Sequence, residues 1–235
     1  MASNERIASV QKWIDSKFEI ADNIEDNSLK VIGYFTIIDS LAQNVNGYKW
    51  KGASDAFCKF VCMYQNKYDF LGDIDPVTLY YDLGNNLFQD IDVVDYLDDG
   101  SVYYPENILT NMNLKRIIAR AKDNGKNKII AKHSYIRLLY QLRNKLVHEF
   151  SVIGEPMDWT EDSLPFYNSV DRLFGENEMK SNPKKRIWQL TFPTKFIREL
   201  LYNAIDNYFI ECIKEQKDPY NNNNILRSMY LAWYD

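Results

Sequence analysis

Apolar residues recur at every third or fourth position along most of this chain, and that period confines it to a largely helical fold. Ile7, Val10, Ile14 and Phe18 predict an amphipathic helix over residues 3–20. After a polar break at 22–27, Ser28 reads as the cap of a helix to about residue 44, with Val31, Ile32, Phe35, Ile38 and Ala42 on one face. Asn46-Gly47 ends it. A third helix over 53–68 buries Phe57, Phe60, Val61 and Tyr64. A short helix follows Pro76, whose ring suits a first turn. Residues 90–100 read as acidic surface turns, and residues 114–122 as a basic helix closed by the turn Asp123-Asn124-Gly125.

Residues 133–150 form a further helix, after which the character changes. The stretch 151–193 holds Pro156, Pro165, Pro183 and Pro193 and has little periodicity. It reads as a partly irregular insertion with a candidate β-strand at 186–192. Pro193-Thr194 then opens the last long helix, to about residue 216, whose core stripe is Ile197, Leu200, Leu201, Ala204, Tyr208 and Cys212. Asn221 to Asn224 suggest a loop, and 225–233 a short closing helix. The expected fold is mainly α: one helical bundle over residues 1–235, with an insertion at about 151–193 before the last long helix.

No apolar run approaches the roughly 18 residues of a membrane span. The first residues lack the basic-then-apolar layout of a signal peptide, so a cytoplasmic location is expected. The three cysteines fit reduced thiols: Cys58 and Cys62 are one helical turn apart, and Cys212 is remote. The net charge of −5 hides an asymmetry. Residues 69–106 carry ten acids and no Lys or Arg, whereas residues 113–148 carry ten Lys and Arg against Asp123 alone. Either the basic segment attracts a phosphate backbone, or the two segments pack side by side and neutralise each other.

The chemistry concentrates on the helix over 133–150. With Leu139 as origin, Leu142, Leu146 and Phe150 fall within about 60° on the helical wheel, and Ile136 and Val147 near its edge. Arg143 falls at about 40°, inside this apolar stripe. Asp39 poses the matching puzzle, about 40° from Phe35 on the earlier helix. A buried acid and a buried arginine in one bundle suggest that Asp39 fixes the Arg143 guanidinium. Tyr140, Asn144 and His148 are spaced four apart and share an adjacent polar face.

The run Arg143-Asn144-Lys145-Leu146-Val147-His148 resembles the signature of the HEPN superfamily (higher eukaryotes and prokaryotes nucleotide-binding). That signature is an arginine followed by a polar residue, with a histidine four to six positions after the arginine. The resemblance covers the motif helix closely and the rest only in being helical. It implies a HEPN-like helical bundle, commonly dimeric, and a metal-independent endoribonuclease of phage-defence or toxin–antitoxin systems. Arg143 and His148 would be catalytic, with Asn144, Tyr140 and Asp39 supporting them. Lys132, Arg137 and Lys145 are the candidate RNA-binding residues. The implied partners are RNA, a second copy of the chain and an antitoxin or regulatory protein; no cofactor, metal or membrane is implied. Two other readings stay open: a non-catalytic HEPN-like nucleotide- or protein-binding module, and a structural oligomerisation domain with Arg143 in an interface ion pair.

The residues suit the chemistry. Metal-free RNA cleavage needs a group to accept the 2′-hydroxyl proton, which a neutral imidazole provides. It also needs fixed positive charge on the phosphate, which a guanidinium provides. Arg143 and His148 are about 140° apart on an ideal helix, however. Convergence needs the arginine to bend round, the helix to end between them, or two subunits to share a cleft. Among weaker signals, His133 reads as a solvated position at a helix start, and Cys58 and Cys62 as buried small side chains. The acids Asp90, Asp92, Asp95, Asp98 and Asp99 lack the glycine and glutamate of an EF-hand. Lys184-Lys185-Arg186 reads as a solvated basic patch.

Overall fold

The structure, a computed structural model, describes residues 4–45, 52–84, 87–98, 101–149, 162–172 and 185–220. It is mainly helical, as the periodicity predicts. In chain order the elements are α1 (Asn4–Asp22), α2 (Asn27–Val45), α3 (Ala53–Tyr64), α4 (Pro76–Leu83), α5 (Pro105–Thr110), α6 (Met112–Asp123), α7 (Asn127–Ile130), α8 (Tyr135–Glu149), β1 (Phe166–Arg172), β2 (Lys185–Thr191) and α9 (Thr194–Glu215). Short 3₁₀ turns lie at Asp69–Gly72, Val93–Tyr96 and Ala131–His133. The expectations for Asn46-Gly47, 221–224, 225–233 and Lys184 fall outside the described residues.

The chain divides into two compact units. The first gathers described residues of 1–69, 140–151 and 197–235; the second those of 70–139 and 152–196. In the first, α1 packs on α2 and α2 on α3. Ile7, Ile14, Phe18, Val31, Phe35, Ile38, Phe57, Phe60 and Val61 are buried, as is the whole predicted stripe of α9. Aromatic edges close this core: Tyr208 meets Phe60 and Tyr64 with ring centres 5.4 and 5.0 Å apart. Gly33 lets α1 approach α2, because a Cβ there would stand 3.0 Å from the Cβ of Ala21. Gly33→Leu is therefore expected to lower stability by about 1–3 kcal/mol, read by urea denaturation.

At the end of α1, Asp22 accepts hydrogen bonds from Arg198 Nε and Nη2, both at 2.7 Å, and from the Tyr34 hydroxyl. Burial alone would raise the Asp22 pKa, but Arg198 and Tyr34 outweigh it and hold the carboxyl below its usual value. The stabilisation this gives is present above the unfolded pKa of about 3.9 and is lost as pH falls through the lower folded value. Asp22→Asn should remove that component of acid sensitivity, measured as denaturation midpoints between about pH 5 and pH 2.

Of the helix boundaries that depart from the sequence expectation, three have a visible cause. Asp26, not Ser28, starts α2, its Oδ1 accepting from Leu29 N at 2.8 Å. α3 stops at Tyr64 because polar side chains take over its end: Asn207 Nδ2 donates to Tyr64 O, and Gln65 Oε1 accepts from Lys67 N and Tyr68 N. α8 begins at Tyr135, after a 3₁₀ turn that contains His133.

In the second unit, α4 and α5 pack on α6. Pro76 opens α4, capped by the buried Asp75, whose carboxylate accepts from Val77 N and Thr78 N. Among the described residues the insertion contributes two strands rather than one: β1 and β2 pair antiparallel, from Phe166 opposite Thr191 to Arg172 opposite Lys185. The buried Tyr167 of β1 donates its hydroxyl to Tyr135 at 2.8 Å, and Tyr81 accepts from Trp188 N at 3.0 Å. The oppositely charged segments do meet here. Arg120 forks onto Asp90, with Arg116 nearby, and Arg120 holds the Asp90 carboxyl down at about 2.

Candidate functional site

Two stretches of helix in the first unit supply the site, α2 and the part of α8 from Tyr140 onward. On α2, Asp39 shares the apolar arc of Phe35, Ile38 and Ala42 and is buried with them. On α8, Tyr140 and Leu146 are buried, Arg143 and Asn144 are half-buried, and His148 is exposed. Phe57 of α3 lies against the Tyr140 ring, centres 5.3 Å apart, and the guanidinium of Arg143 stands 5.6 Å from the centre of that ring. The arginine is thus backed by an aromatic face at an apolar–polar boundary.

Asp39 fixes Arg143, as the helical wheels suggest. Arg143 Nε donates to Asp39 Oδ2 at 2.7 Å, and Nη2 reaches the same oxygen at 2.5 Å. The two side chains are 14% and 8% exposed, so this is a buried ion pair. Among the described residues Asp39 Oδ1 has no hydrogen-bond partner. Burial is the largest influence on Asp39 and raises its pKa; Arg143 pulls it back down without cancelling the rise.

The other edge of the guanidinium turns toward the polar face. Arg143 Nη1 donates to Asn144 Oδ1 at 3.0 Å and lies 3.1 Å from His148 Nε2. The arginine therefore bends round, and the 140° between the two backbone positions is spanned by side-chain length within one chain. A guanidinium only donates, so His148 Nε2 accepts, which corresponds to the neutral ring with its proton on Nδ1. The imidazole thus presents a base nitrogen directly beside a fixed positive charge.

The remaining candidates are not gathered here. Lys145 lies about 200° round α8 from Arg143. Lys132, exposed, and Arg137, half-buried, belong to the second unit. His133 corrects the solvated reading: it is buried, with Nδ1 3.1 Å from the Thr78 hydroxyl and Nε2 3.0 Å from Asp82. Cys58 is buried as expected, but Cys62 is exposed. Phe57, the prop behind Tyr140, carried no sequence signal beyond an ordinary core aromatic. Among the described residues, no three His, Cys, Asp or Glu side chains are grouped to hold a metal ion. No helix among them is long and apolar enough to cross a membrane. No family model matches the chain, and no curated protein or solved structure matches it.

Proposed function

We propose that the chain is a metal-independent endoribonuclease of HEPN type, acting in phage defence or as the toxin of a toxin–antitoxin pair. The observation that carries this reading is the 3.1 Å approach of Arg143 Nη1 to His148 Nε2, on a guanidinium already fixed by Asp39. In this mechanism an RNA phosphate binds the guanidinium and takes the Nη1 hydrogen bond from His148. The freed Nε2 lone pair accepts the proton of the adjacent 2′-hydroxyl. The 2′-oxygen attacks phosphorus, the bond to the 5′-oxygen breaks, and the leaving oxygen takes a proton from solvent. His148 then returns its own proton to solvent. Arg143 offsets the negative charge that develops on the phosphorus oxygens. Asn144 steadies Nη1, Asp39 steadies Nε and Nη2, and Tyr140 backs the guanidinium. The wider proposal, a cytoplasmic homodimer restrained by an antitoxin or regulatory protein, rests on the motif resemblance.

The 2′-hydroxyl is the group this mechanism cannot do without. RNA should be cut into fragments with 2′,3′-cyclic phosphate and 5′-hydroxyl ends, and the same sequence as DNA should stay intact. Equal cutting of DNA, or 3′-hydroxyl ends, would contradict the mechanism. One observation favours a second reading, a non-catalytic nucleotide- or protein-binding module. All three guanidinium nitrogens have partners inside the chain, and only 14% of the Arg143 side chain is exposed. In that reading RNA binds and is released whole.

A further inference from the structure

The basic segment resolves into two populations of side chain on α6 and α7. Residues 112–132 carry Lys115, Arg116, Arg120, Lys122, Lys126, Lys128 and Lys132 against one acid, Asp123. On the α6 wheel, Lys115 and Lys122 lie within about 20° of each other, and Arg116 and Arg120 lie about 100–160° away from them. The arginine side meets the acidic segment: both arginines reach Asp90. The lysine side does not. Lys115, Lys122, Lys126 and Lys128 are exposed, and none forms an ion pair with a described residue.

Four exposed ammonium groups without a described ion-pair partner, Lys115 and Lys122 on one side of α6 and Lys126 and Lys128 on the turn and short helix that follow, lie within fourteen residues of a chain of net charge −5 and concentrate positive charge locally. Of the apolar residues of α6, Leu114, Ile117 and Ala121 are buried in the unit, Ile118 is half-buried, and Met112 and Ala119 are exposed. Its exposed apolar surface amounts to Met112 and Ala119, short of the broad apolar face with which an interfacial membrane helix inserts among lipids. Lys115 and Lys122 stand about 10 Å apart along the axis, a span of about three nucleotides of a stacked strand. Lysine suits such a face: it neutralises a phosphate as a mobile point charge, without demanding one geometry.

We propose that Lys115, Lys122, Lys126 and Lys128 form an RNA-backbone anchoring surface on the second unit, built from residues other than those of the Arg143–His148 site. The proposal deepens the nuclease reading and rests on it for the choice of RNA as the polyanion. Binding through four phosphates makes affinity steeply salt-dependent and indifferent to sequence.

The test measures binding apart from cleavage. The full chain and a variant combining Lys115→Gln, Lys122→Gln, Lys126→Gln and Lys128→Gln are titrated by fluorescence anisotropy against a labelled single-stranded 2′-O-methyl RNA, which lacks the hydroxyl needed for cutting. KCl is varied between about 50 and 200 mM. The expected result is a salt slope shallower by about 3 in the variant, so that wild-type affinity falls about 50-fold more than the variant's across this range. His148→Ala should leave the slope unchanged. An identical slope and Kd in the quadruple variant overturns the proposal. So does tight wild-type binding to phosphatidylserine vesicles under conditions where the RNA does not bind. If the variant loses RNA affinity while the wild type cuts no RNA, the anchoring surface stands and the nuclease reading falls. Intact cleavage with an unchanged salt slope does the reverse.

Discussion

Arg143→Ala is expected to lower stability by about 3–5 kcal/mol, the cost of leaving a buried charge without its partner. The arginine supplies the Nε hydrogen bond and the Nη2 ion-pair contact to Asp39 Oδ2, and Oδ1 has no described donor to fall back on. Alanine itself suits a helix as well as arginine does, so helix propensity contributes little to the loss. The deficit should depend on pH, and its sign follows from Asp39. Burial already raises the folded pKa of Asp39, and removing Arg143 removes the main influence that opposes the rise. A carboxyl with a raised folded pKa contributes its stability below the unfolded value of about 3.9 and loses it as pH climbs through the folded value. Urea denaturation should therefore show the largest deficit at neutral pH and a shrinking one toward about pH 4. Replacing both partners, Asp39→Leu with Arg143→Met, should recover most of the stability and none of the proposed cleavage. A deficit that stays constant with pH would contradict the buried-pair account.

His148→Ala is expected to have the opposite profile. The side chain is exposed, so stability should change by no more than about 0.5 kcal/mol. Under the proposed mechanism the single-turnover rate on RNA should fall about 10²- to 10⁴-fold, the usual contribution of a positioned general base. Affinity for RNA should hold, because Arg143 keeps its anchor on Asp39 when the imidazole is gone. The two variants thus separate what the pair does for the fold from what it does for the reaction. A His148→Ala protein that cuts RNA at the wild-type rate would remove the imidazole from the mechanism.

Sequence period made the helices legible wherever a stripe was long. The stripe from Ile197 to Cys212 is buried along its whole length. The Asp39–Arg143 pair was legible for the same reason: each charge sat about 40° from an apolar neighbour, and a buried charge needs a partner. The approach of Arg143 to His148 was not settled, because a wheel records where a side chain leaves the backbone and not how far it reaches. Strand β1 was hidden because its run Phe166-Tyr167-Asn168-Ser169 has adjacent apolar residues followed by adjacent polar ones, not an alternation. His133 looked solvated because its partners, Thr78 and Asp82, lie more than fifty residues away in sequence. The end of α3 depended on Asn207, a residue of α9 that no local pattern connects to Tyr64.

The segregation of α6 into an arginine side and a lysine side was partly legible. Its charges could be placed on a wheel from the sequence, but not the direction in which Asp90 lies. The acidic and basic segments do neutralise each other at Asp90. The same packing leaves Lys115, Lys122, Lys126 and Lys128 in solvent, so both sequence readings of the charge asymmetry keep a place in the account.

The central claim is that Arg143 and His148 together cut RNA without a metal ion. Incubation of one RNA with wild type, Arg143→Ala and His148→Ala in excess EDTA tests it most directly. The account predicts cutting by the wild type, undiminished by EDTA, and loss of cutting in both variants. Cutting that survives in either variant, or that EDTA abolishes in the wild type, would contradict it.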